Sequence, residues 1–144
     1  MLVTSWNPLT IWIYGEMYVR FGAEDYDMDM IGNKFMHLTN NSITKHCTME
    51  HKIKGNMWTQ EEFVRYIKDA YKPGMWENKI RPLMNKAIVA SLKSTEDMVV
   101  HREGSFEMFG YDLMIDVDLK PWLIEVNCSP ALDYSTVRRR LRYL

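Results

Sequence analysis

The segment Gly110–Asn127 constrains the fold most, because two short apolar stretches flank a polar turn within it. Each stretch has the length and composition of a β-strand, so together they predict a β-hairpin. With an even-length turn centred between Asp118 and Leu119, Asp112 lies directly opposite Glu125. The sequence therefore predicts that two carboxylates face each other across the hairpin.

The same hairpin predicts a metal site. Side chains alternate between the two faces of a strand, so Asn127 shares the face of Glu125, whereas Trp122 points to the opposite face. Directly opposed Cβ atoms lie about 4.5–5.5 Å apart, where two carboxylates repel each other unless a cation binds between them. Two carboxylates and an amide oxygen suit Mg²⁺, which proteins usually hold with carboxylates and substrate phosphates. The alternative is a solvated acidic face.

Bulk composition excludes several classes of protein. The chain has 144 residues, which is the size of one domain or of part of a larger one. Its net charge of −1 and its pI of about 6.4 do not indicate a nucleic-acid partner. Its apolar runs are far shorter than the roughly 20 residues that span a bilayer, and its start lacks the pattern of a signal peptide. We therefore expect neither a nucleic-acid nor a membrane partner.

Two cysteines, Cys47 and Cys128, are too few for a disulfide framework. Nothing else marks the chain as secreted, so we expect reduced thiols in an intracellular protein. His46, Cys47 and His51 lie close together, but no second ligand pair follows them, which favours a polar loop over a zinc site. They belong to a polar stretch, residues 22–57, that is too long for an ordinary connection and predicts a functional loop or a mobile segment.

Two further apolar stretches near the start predict a second hairpin. Leu9–Tyr14 and Met17–Phe21 flank Gly15, which permits a tight turn. On the second of these strands, Val19 and Arg20 fall on opposite faces. This part of the chain is therefore expected to be rich in β-structure.

Two helices follow in the middle of the chain. Thr59 and Glu62 form the pattern of a capping box, which starts a helix that Pro73–Gly74 ends. A second helix runs from about Trp76 to Lys93, and Pro82 either lies in its first turns or kinks it. Helical spacing in this second segment is shown by apolar residues at Ile80, Leu83, Ala87, Ile88 and Leu92.

Three ordered motifs resemble the tubulin tyrosine ligase-like family. They are HLTNNSITK at His37–Lys45, FEMFGYD at Phe106–Asp112 and KPWLIEVNCSP at Lys120–Pro130. The resemblance extends from Leu2 to about Ser135, so it covers nearly the whole chain. Enzymes of this family have an ATP-grasp fold, and the resemblance implies the same fold here.

Two features are similar to one branch of that family, the tubulin glycylases. These features are the sequence Asn40–Ile43 and the run Trp6–Trp12. Glutamylases more often carry an aromatic residue at the position of Asn41. The resemblance therefore implies that the transferred amino acid is glycine, with a tubulin polyglutamylase of the same family as the alternative.

The resemblance also implies a ligase that uses ATP and Mg²⁺. Members of the family join an amino acid to a glutamate side chain of tubulin, or sometimes of another protein. The acceptor carboxylate is phosphorylated to an acyl phosphate, which the incoming amine then attacks. Such phosphoryl transfer needs positioning and charge neutralisation more than covalent help from the protein.

Matches to the family's motifs imply roles for individual residues. The magnesium positions are matched by Asp112, Glu125 and Asn127, in accord with the hairpin geometry. Arg20 matches an arginine at the phosphate or acyl-phosphate site, where its rigid fork suits phosphate oxygens. A segment that touches the nucleotide and its phosphates is matched by His37, Leu38, Thr39 and Asn40. Without the family, Arg20 is a surface arginine on an edge strand, and the other segment is a polar loop entering a turn.

The resemblance covers only the C-terminal lobe of an ATP-grasp enzyme. Lysines of the earlier lobe, which contact the phosphates in the family, have no counterpart in this sequence. Residues 1–144 are therefore expected to form a partial ATP-grasp domain without its N-terminal lobe. The expected class is α+β, with an antiparallel sheet and helices packed on one side. The alternative function is a non-catalytic remnant that binds nucleotide or microtubules.

The implied partners are tubulin and microtubules, through their acidic C-terminal tails, together with the amino-acid substrate. The implied location is the cytoplasm and cytoskeleton, including the axoneme of a cilium or flagellum. Arg138–Arg142 could meet an acidic tail electrostatically. A solvated helix end accounts for the same residues at least as well.

Overall fold

The computed structural model describes residues 1–47, 53, 56–100 and 102–130. The described part is α+β, as predicted, and its strands pair in an antiparallel manner. The strands are β1 (Leu2–Trp6), β2 (Leu9–Trp12), β3 (Tyr18–Arg20), β4 (Met57–Thr59), β5 (Glu107–Met108), β6 (Gly110–Ile115) and β7 (Pro121–Asn127). The helices are α1 (Lys34–His37), α2 (Asn41–Thr44), α3 (Gln60–Ala70) and α4 (Arg81–Lys93), with 3₁₀ turns at Met28–Met30 and Glu96–Met98 and a π-helix at Trp76–Ile80.

The described residues separate into two compact units. The first unit contains Met1–Gly15 and the described residues from Tyr66 onwards, and the second contains the described residues of Glu16–Arg65. The strands form three small sheets, in the orders β2–β1–β5, β3–β4 and β6–β7, where the sequence predicted one sheet. No helix within the described ranges combines the length and the apolar character that crossing a bilayer requires.

The predicted hairpin between Leu9–Tyr14 and Met17–Phe21 is wrong, because β2 pairs with β1 instead. Trp6 lies opposite Leu9, so the strands are joined by the two-residue turn Asn7–Pro8, which contains a cis peptide bond. Pairing with β1 places β2 in the sheet that carries the core of the first unit. The apolar pattern of β2 therefore predicted a strand correctly and its partner incorrectly.

The partner of β3 is β4, with Tyr18 opposite Thr59. Val19 is half-buried whereas Tyr18 and Arg20 are exposed, so the predicted alternation is confirmed. Within the part of the chain that the structure describes, a Cβ atom added to Gly15 would meet no atom within 4 Å, and the φ of Gly15 is not in the left-handed range. Gly15 thus needs none of the conformational freedom of glycine, and it lies in a connection rather than in a tight hairpin turn.

Residues 22–47, which were predicted to be a loop or a mobile segment, contain short helices. The Asp27 carboxylate accepts a hydrogen bond from the N–H of Asp29 at 2.9 Å and caps the first 3₁₀ turn. The Asn33 side chain accepts one from the N–H of Phe35 at 3.0 Å and caps α1. Asp and Asn are preferred caps because they satisfy helix N–H groups that lack a partner. Part of the polar composition of this region is therefore explained by helix capping.

The capping box at the start of α3 is confirmed. The Thr59 N–H donates to Glu62 Oε2 at 2.7 Å, and the Glu62 N–H donates to Thr59 Oγ1 at 3.2 Å. The second helix is confirmed over Trp76–Lys93, although its first part, Trp76–Ile80, is π-helical. Pro82 is the second residue after this part. A proline lacks an N–H and its ring crowds the preceding turn, and the wider π turn accommodates both.

One face of the second helix builds the core of the first unit. Its buried residues recur at every fourth position, at Trp76, Ile80, Met84, Ile88 and Leu92. Ile88 and Leu92 pack against Val3, Trp6 and Phe109 in one cluster. The rings of Trp6 and Phe109 meet edge to face with their centroids 6.4 Å apart. The core therefore joins β1 to α4.

Candidate active site

The β6–β7 hairpin brings the two predicted carboxylates together. Asp112 lies directly opposite Glu125, and Gly110 lies opposite Asn127, so the predicted pairing is confirmed. The three polar side chains are exposed. The Asn127 amide nitrogen donates to Asp112 Oδ2 and to Glu125 Oε1, both at 3.1 Å. Asp112, Glu125 and Asn127 therefore form one cluster on one face of the hairpin, here named the carboxylate cluster.

A β-bulge, rather than the predicted turn, produces this pairing. Nearer the loop, the pairing is centred on Asp118 itself and not between Asp118 and Leu119. On that register alone, Asp112 would lie opposite Ile124. Ile124 is instead the extra residue of a bulge, which shifts the register so that Asp112 meets Glu125. The predicted even-length turn is wrong, and the loop contains three residues.

The bulge also changes the face on which Trp122 lies. Trp122 is opposite Met114, which shares the face of Asp112 because the two residues are two positions apart. The prediction that Trp122 points away from the carboxylates is therefore wrong, since simple alternation does not allow for an extra residue. Met114 is 61% exposed and Trp122 is 50% exposed. An exposed apolar surface thus adjoins the carboxylate cluster.

The donor set of the carboxylate cluster fits Mg²⁺. A half-turn of the Asn127 amide exchanges its nitrogen for its oxygen, which would then face the oxygens of Asp112 and Glu125. Mg²⁺ prefers such hard oxygens, keeps several waters and is commonly shared between carboxylates and phosphates. The described residues contain no group of three or more His, Cys, Asp or Glu that could hold a metal. The cluster thus suits Mg²⁺ shared with a phosphate better than zinc held by protein ligands alone.

Asp116 holds the loop of the hairpin together. Its Oδ1 accepts hydrogen bonds from the N–H groups of Asp118 at 3.0 Å and Lys120 at 2.9 Å, and its Oδ2 accepts one from Trp122 Nε1 at 2.7 Å. The Trp122 indole N–H, followed by the Lys120 backbone N–H, lowers the pKa of Asp116 below its ordinary value. The sequence by itself allows Asp116 to be either solvated or structural, and these hydrogen bonds make it structural. The signal that indicates it is an Asp at the first position of a turn.

The loop is also tied to the helical part of the first unit. Lys79 Nζ donates to the Asp118 carbonyl at 2.7 Å, and the Tyr71 hydroxyl donates to the Val117 carbonyl at 3.5 Å. Leu119 has a φ of 60°, a conformation that bulky residues avoid, yet it is only 3% exposed. Burial of its side chain therefore outweighs the backbone strain and holds the loop against the protein.

Arg20 lies in the second unit, on the exposed face of β3. Its Nη2 donates to Tyr18 Oη at 3.3 Å, and its guanidinium carbon lies 5.2 Å from the centre of the Tyr18 ring. Such a contact between a cation and an aromatic face restrains the guanidinium. Within the described strands β3 pairs with β4 alone, so Arg20 lies on a two-stranded sheet.

The segment His37–Asn40 joins α1 to α2 in the same unit. The His37 ring meets the Tyr26 ring edge to face, with their centroids 5.5 Å apart. The Asn40 carbonyl accepts a hydrogen bond from the Ile43 N–H at 2.9 Å at the start of α2. Leu38 is exposed and Thr39 is half-buried. His37 therefore ends α1, and residues 38–40 connect it to α2.

Both cysteines, Cys47 and Cys128, are free. Cys47 Sγ donates to the carboxylate oxygen Glu24 Oε1 at 3.7 Å. The third member of the His–Cys cluster, His51, lies outside the described residues. The basic segment Arg138–Arg142 also lies outside them.

Comparison with known proteins identifies a family. The profile of the tubulin-tyrosine ligase family matches residues 1–141. In an alignment 140 positions long that covers 94% of the chain, the sequence is 45% identical to tubulin glycylase 3C of Tetrahymena thermophila, 13% of which is covered. Over the same length and share of the chain, it is 38% identical to tubulin monoglycylase TTLL3 of Homo sapiens (18% covered) and 39% identical to protein monoglycylase TTLL8 of Mus musculus (17% covered).

The chain thus spans less than a fifth of the length of these relatives. The family match nevertheless includes the carboxylate cluster, Arg20 and His37–Asn40, because it extends over both compact units. The resemblance inferred from the three sequence motifs is confirmed. The chain belongs to the tubulin-tyrosine ligase family.

Proposed function

We propose that the protein containing this chain is an ATP- and Mg²⁺-dependent ligase that adds glycine to glutamate side chains of tubulin. The observation that carries this proposal is the carboxylate cluster on one exposed face of the hairpin, in a chain of this family. Phosphoryl transfer from ATP needs a divalent cation held by oxygen ligands. The names of the relatives, tubulin glycylase and tubulin monoglycylase, support glycine as the amino acid.

Asp112, Glu125 and Asn127 would hold the Mg²⁺. When bound, the ion would neutralise charge on the phosphates of ATP and orient them for transfer. The cross-strand pairing keeps the two carboxylates together, and the hydrogen bonds from Asn127 offset their repulsion. Because the cluster is exposed, phosphate oxygens and water can complete the coordination.

Arg20 would bind oxygens of a phosphate or of the acyl phosphate. A guanidinium presents two parallel N–H groups that match two phosphate oxygens. Its contact with Tyr18 reduces the rotamer freedom that binding would otherwise remove. The nucleotide itself would be contacted by the segment His37, Leu38, Thr39 and Asn40. In this segment the exposed Leu38 offers apolar surface and Thr39 offers a hydroxyl.

Residues 1–144 would form part of an ATP-grasp domain, with phosphate-binding lysines supplied by an earlier lobe. Each charge-assisted hydrogen bond contributes about 1.5–3 kcal/mol, so loss of several would weaken ATP binding strongly. The 144-residue chain alone should therefore bind Mg-ATP weakly and ligate nothing. Calorimetry with Mg-ATP, run beside a ligation assay on the same chain, tests this expectation. Tight binding together with ligation would show that these residues are a complete enzyme.

The amino acid is tested with the full-length protein. It would be incubated with polymerised tubulin, ATP, Mg²⁺ and isotopically labelled glycine, glutamate and tyrosine in competition, and the tubulin tails would be analysed by mass spectrometry. We expect glycine adducts on glutamate side chains. Exclusive addition of glutamate would identify a polyglutamylase, and absence of every adduct would favour a non-catalytic nucleotide- or microtubule-binding remnant.

The metal assignment is tested by Asp112→Asn and Glu125→Gln. Each variant removes one charge with little change of volume, so we expect ligation to be abolished while the circular dichroism spectrum is retained. The matched control is Asp97→Asn, which removes an exposed carboxylate of the same unit outside the hairpin. Near-normal turnover of both hairpin variants at limiting Mg²⁺ would contradict the metal assignment.

The proposed substrate implies a location. An enzyme that acts on tubulin tails would be found in the cytoplasm on the cytoskeleton, including the axoneme of a cilium or flagellum. The sequence of Arg138–Arg142 is complementary in charge to an acidic tail. Fluorescence imaging of the tagged full-length protein beside labelled microtubules tests the location, and a diffuse signal that ignores microtubules would contradict it.

A further inference from the structure

The carboxylate cluster depends on the strand register of a small hairpin. Among the described strands, β6 and β7 pair only with each other. A two-stranded hairpin is at best marginally stable by itself, and its register is determined by the type and length of its loop. A slip of one residue would turn every side chain of one strand to the opposite face. It would therefore separate Asp112 from Glu125.

Asp116 is the residue that determines the loop. Its carboxylate accepts hydrogen bonds from two backbone N–H groups of the loop and from the indole of Trp122. The Leu119 N–H donates to the Asp116 carbonyl at 2.9 Å, and the Asp116 N–H donates to the Lys120 carbonyl at 3.0 Å. Side chain and backbone of one residue thus close a three-residue loop that has a left-handed residue at its end, a common hairpin loop.

The bond to Trp122 connects the loop with the face that carries the carboxylates. Trp122 lies on that face opposite Met114, between the loop and the bulge at Ile124. Its indole N–H donates to Asp116 Oδ2, and the Lys120 ammonium lies 3.7 Å from the centre of its ring. Holding this residue fixes the strand just before the bulge, which is where the register changes.

We propose that Asp116 is a positioning residue for the carboxylate cluster: it holds the loop and Trp122 in the register that places Asp112 opposite Glu125. This inference rests on the proposed metal site. Asp116 lies four residues after Asp112 and nearer the loop, about 13 Å along an extended strand, so it acts through the hairpin and not by touching the metal. The anchors from Lys79 and Tyr71 keep the loop itself in place.

The test compares Asp116→Asn and Trp122→Phe with Asp118→Asn in the full-length protein. Asp116→Asn replaces one of the two carboxylate oxygens with an NH₂ group. Trp122→Phe removes the indole N–H by replacing the two-ring indole with a single aromatic ring beside Lys120. Asp118→Asn is the matched control, because it removes a charge from the same loop. Within the described residues, the Asp118 side chain makes no hydrogen bond.

Three measurements report the strand register, the metal binding and the ligation reaction. Hydrogen exchange of the β6 and β7 amides without metal reports the hairpin. Mn²⁺ binding in the presence of a non-hydrolysable ATP analogue, followed by electron paramagnetic resonance, reports the metal site. Ligation at increasing Mg²⁺ separates the concentration for half-maximal activity from the maximal rate. For residues that orient metal ligands, substitution weakens metal binding about 10–100-fold, so we expect about tenfold for Asp116→Asn.

The expected result is faster exchange in β6 and β7, weaker Mn²⁺ binding and a higher Mg²⁺ requirement for Asp116→Asn, with most of the maximal rate recovered at high Mg²⁺. Trp122→Phe should change all three in the same direction by less, and Asp118→Asn should change none. If Asp116→Asn does not fold, Trp122→Phe decides. The inference would be overturned if Trp122→Phe gave the same three readouts as the control Asp118→Asn. The same holds if a folded Asp116→Asn matched that control.

The two proposals fail in different ways. If Asp112→Asn leaves Mn²⁺ binding and the Mg²⁺ requirement unchanged, the metal site itself is wrong. If Asp112→Asn abolishes both while the Asp116 and Trp122 variants match the control, the metal site stands and only the positioning role of Asp116 is overturned.

Discussion

Two hairpins were expected from similar patterns, and only one of them forms. Gly110–Asn127 forms a hairpin with Asp112 opposite Glu125 as predicted, although through a three-residue loop and a bulge, whereas Leu9–Tyr14 does not pair with Met17–Phe21. In the first case a side chain, Asp116, binds three N–H donors within six residues and determines the loop. In the second case Gly15 does not have a left-handed φ, and no described atom lies within 4 Å of a Cβ atom built on it. An apolar pattern thus predicts a strand, but specific turn chemistry is needed to predict its partner.

The largest expected effect comes from Leu119, the buried residue of the β6–β7 loop. Leu119→Ala should destabilise the chain by about 2–5 kcal/mol, the usual cost of removing a buried leucine side chain. Leu119→Gly should cost less than Leu119→Ala by about 1–2 kcal/mol, because glycine removes the strain of the left-handed backbone. This order reverses the usual disadvantage of glycine. Urea denaturation measures both, and a glycine variant less stable than the alanine variant would show that φ is not strained there.

The capping box of α3 provides a second case of local chemistry that determined a boundary. Thr59→Ala should lower the free energy of unfolding by about 1 kcal/mol, because the N–H of Glu62 loses its acceptor. Glu62→Gln should cost less, since glutamine retains an acceptor for the Thr59 N–H. Urea denaturation of the two variants compares them. Equal stability of Thr59→Ala and the parent would mean that tertiary packing alone starts this helix.

Gly15 tests the failed hairpin directly. Gly15→Ala should leave stability unchanged or raise it by about 0.4–1 kcal/mol, because alanine restricts the unfolded chain and its Cβ atom meets no described atom within 4 Å in the folded one. A tight two-residue hairpin turn would instead need a positive φ, and alanine would then destabilise it. Thermal unfolding of the variant distinguishes these cases. A clear loss of stability would revive the predicted hairpin.

The smallest expected effect is the pH dependence of the β6–β7 loop. The pKa of Asp116 is lowered from its ordinary value of 3.8, mainly by the Trp122 indole N–H. A carboxylate with a lowered folded pKa stabilises the fold fully above its unfolded pKa, and this contribution is lost as pH falls through the folded pKa. The Trp122 indole NMR signal should therefore shift with a midpoint below pH 3.8. The same shift in Asp116→Asn would show that another group titrates there.

Several features of the candidate site follow from the sequence, and others do not. The motifs that carry Asp112, Glu125 and Asn127 indicate the family, and the family profile confirms it. The alternation of β3 and the capping box of α3 also follow from residue type and spacing. The roles of Arg20 and His37–Asn40 stay predictions. The predicted face of Trp122 was wrong, because a bulge is a property of two paired strands and not of one.

The sequence by itself determined the features that act over a few residues: strand and helix segments, caps, and the motifs of the family. The tertiary structure decided which strands pair, that Ile124 bulges, and that Leu119 occupies a left-handed position that its residue type disfavours. The physical reason is the separation in sequence between the residues that interact. A hydrogen bond from a turn side chain involves neighbours in sequence, whereas burial of Leu119 and the choice of β1 as the partner of β2 depend on residues distant in the chain.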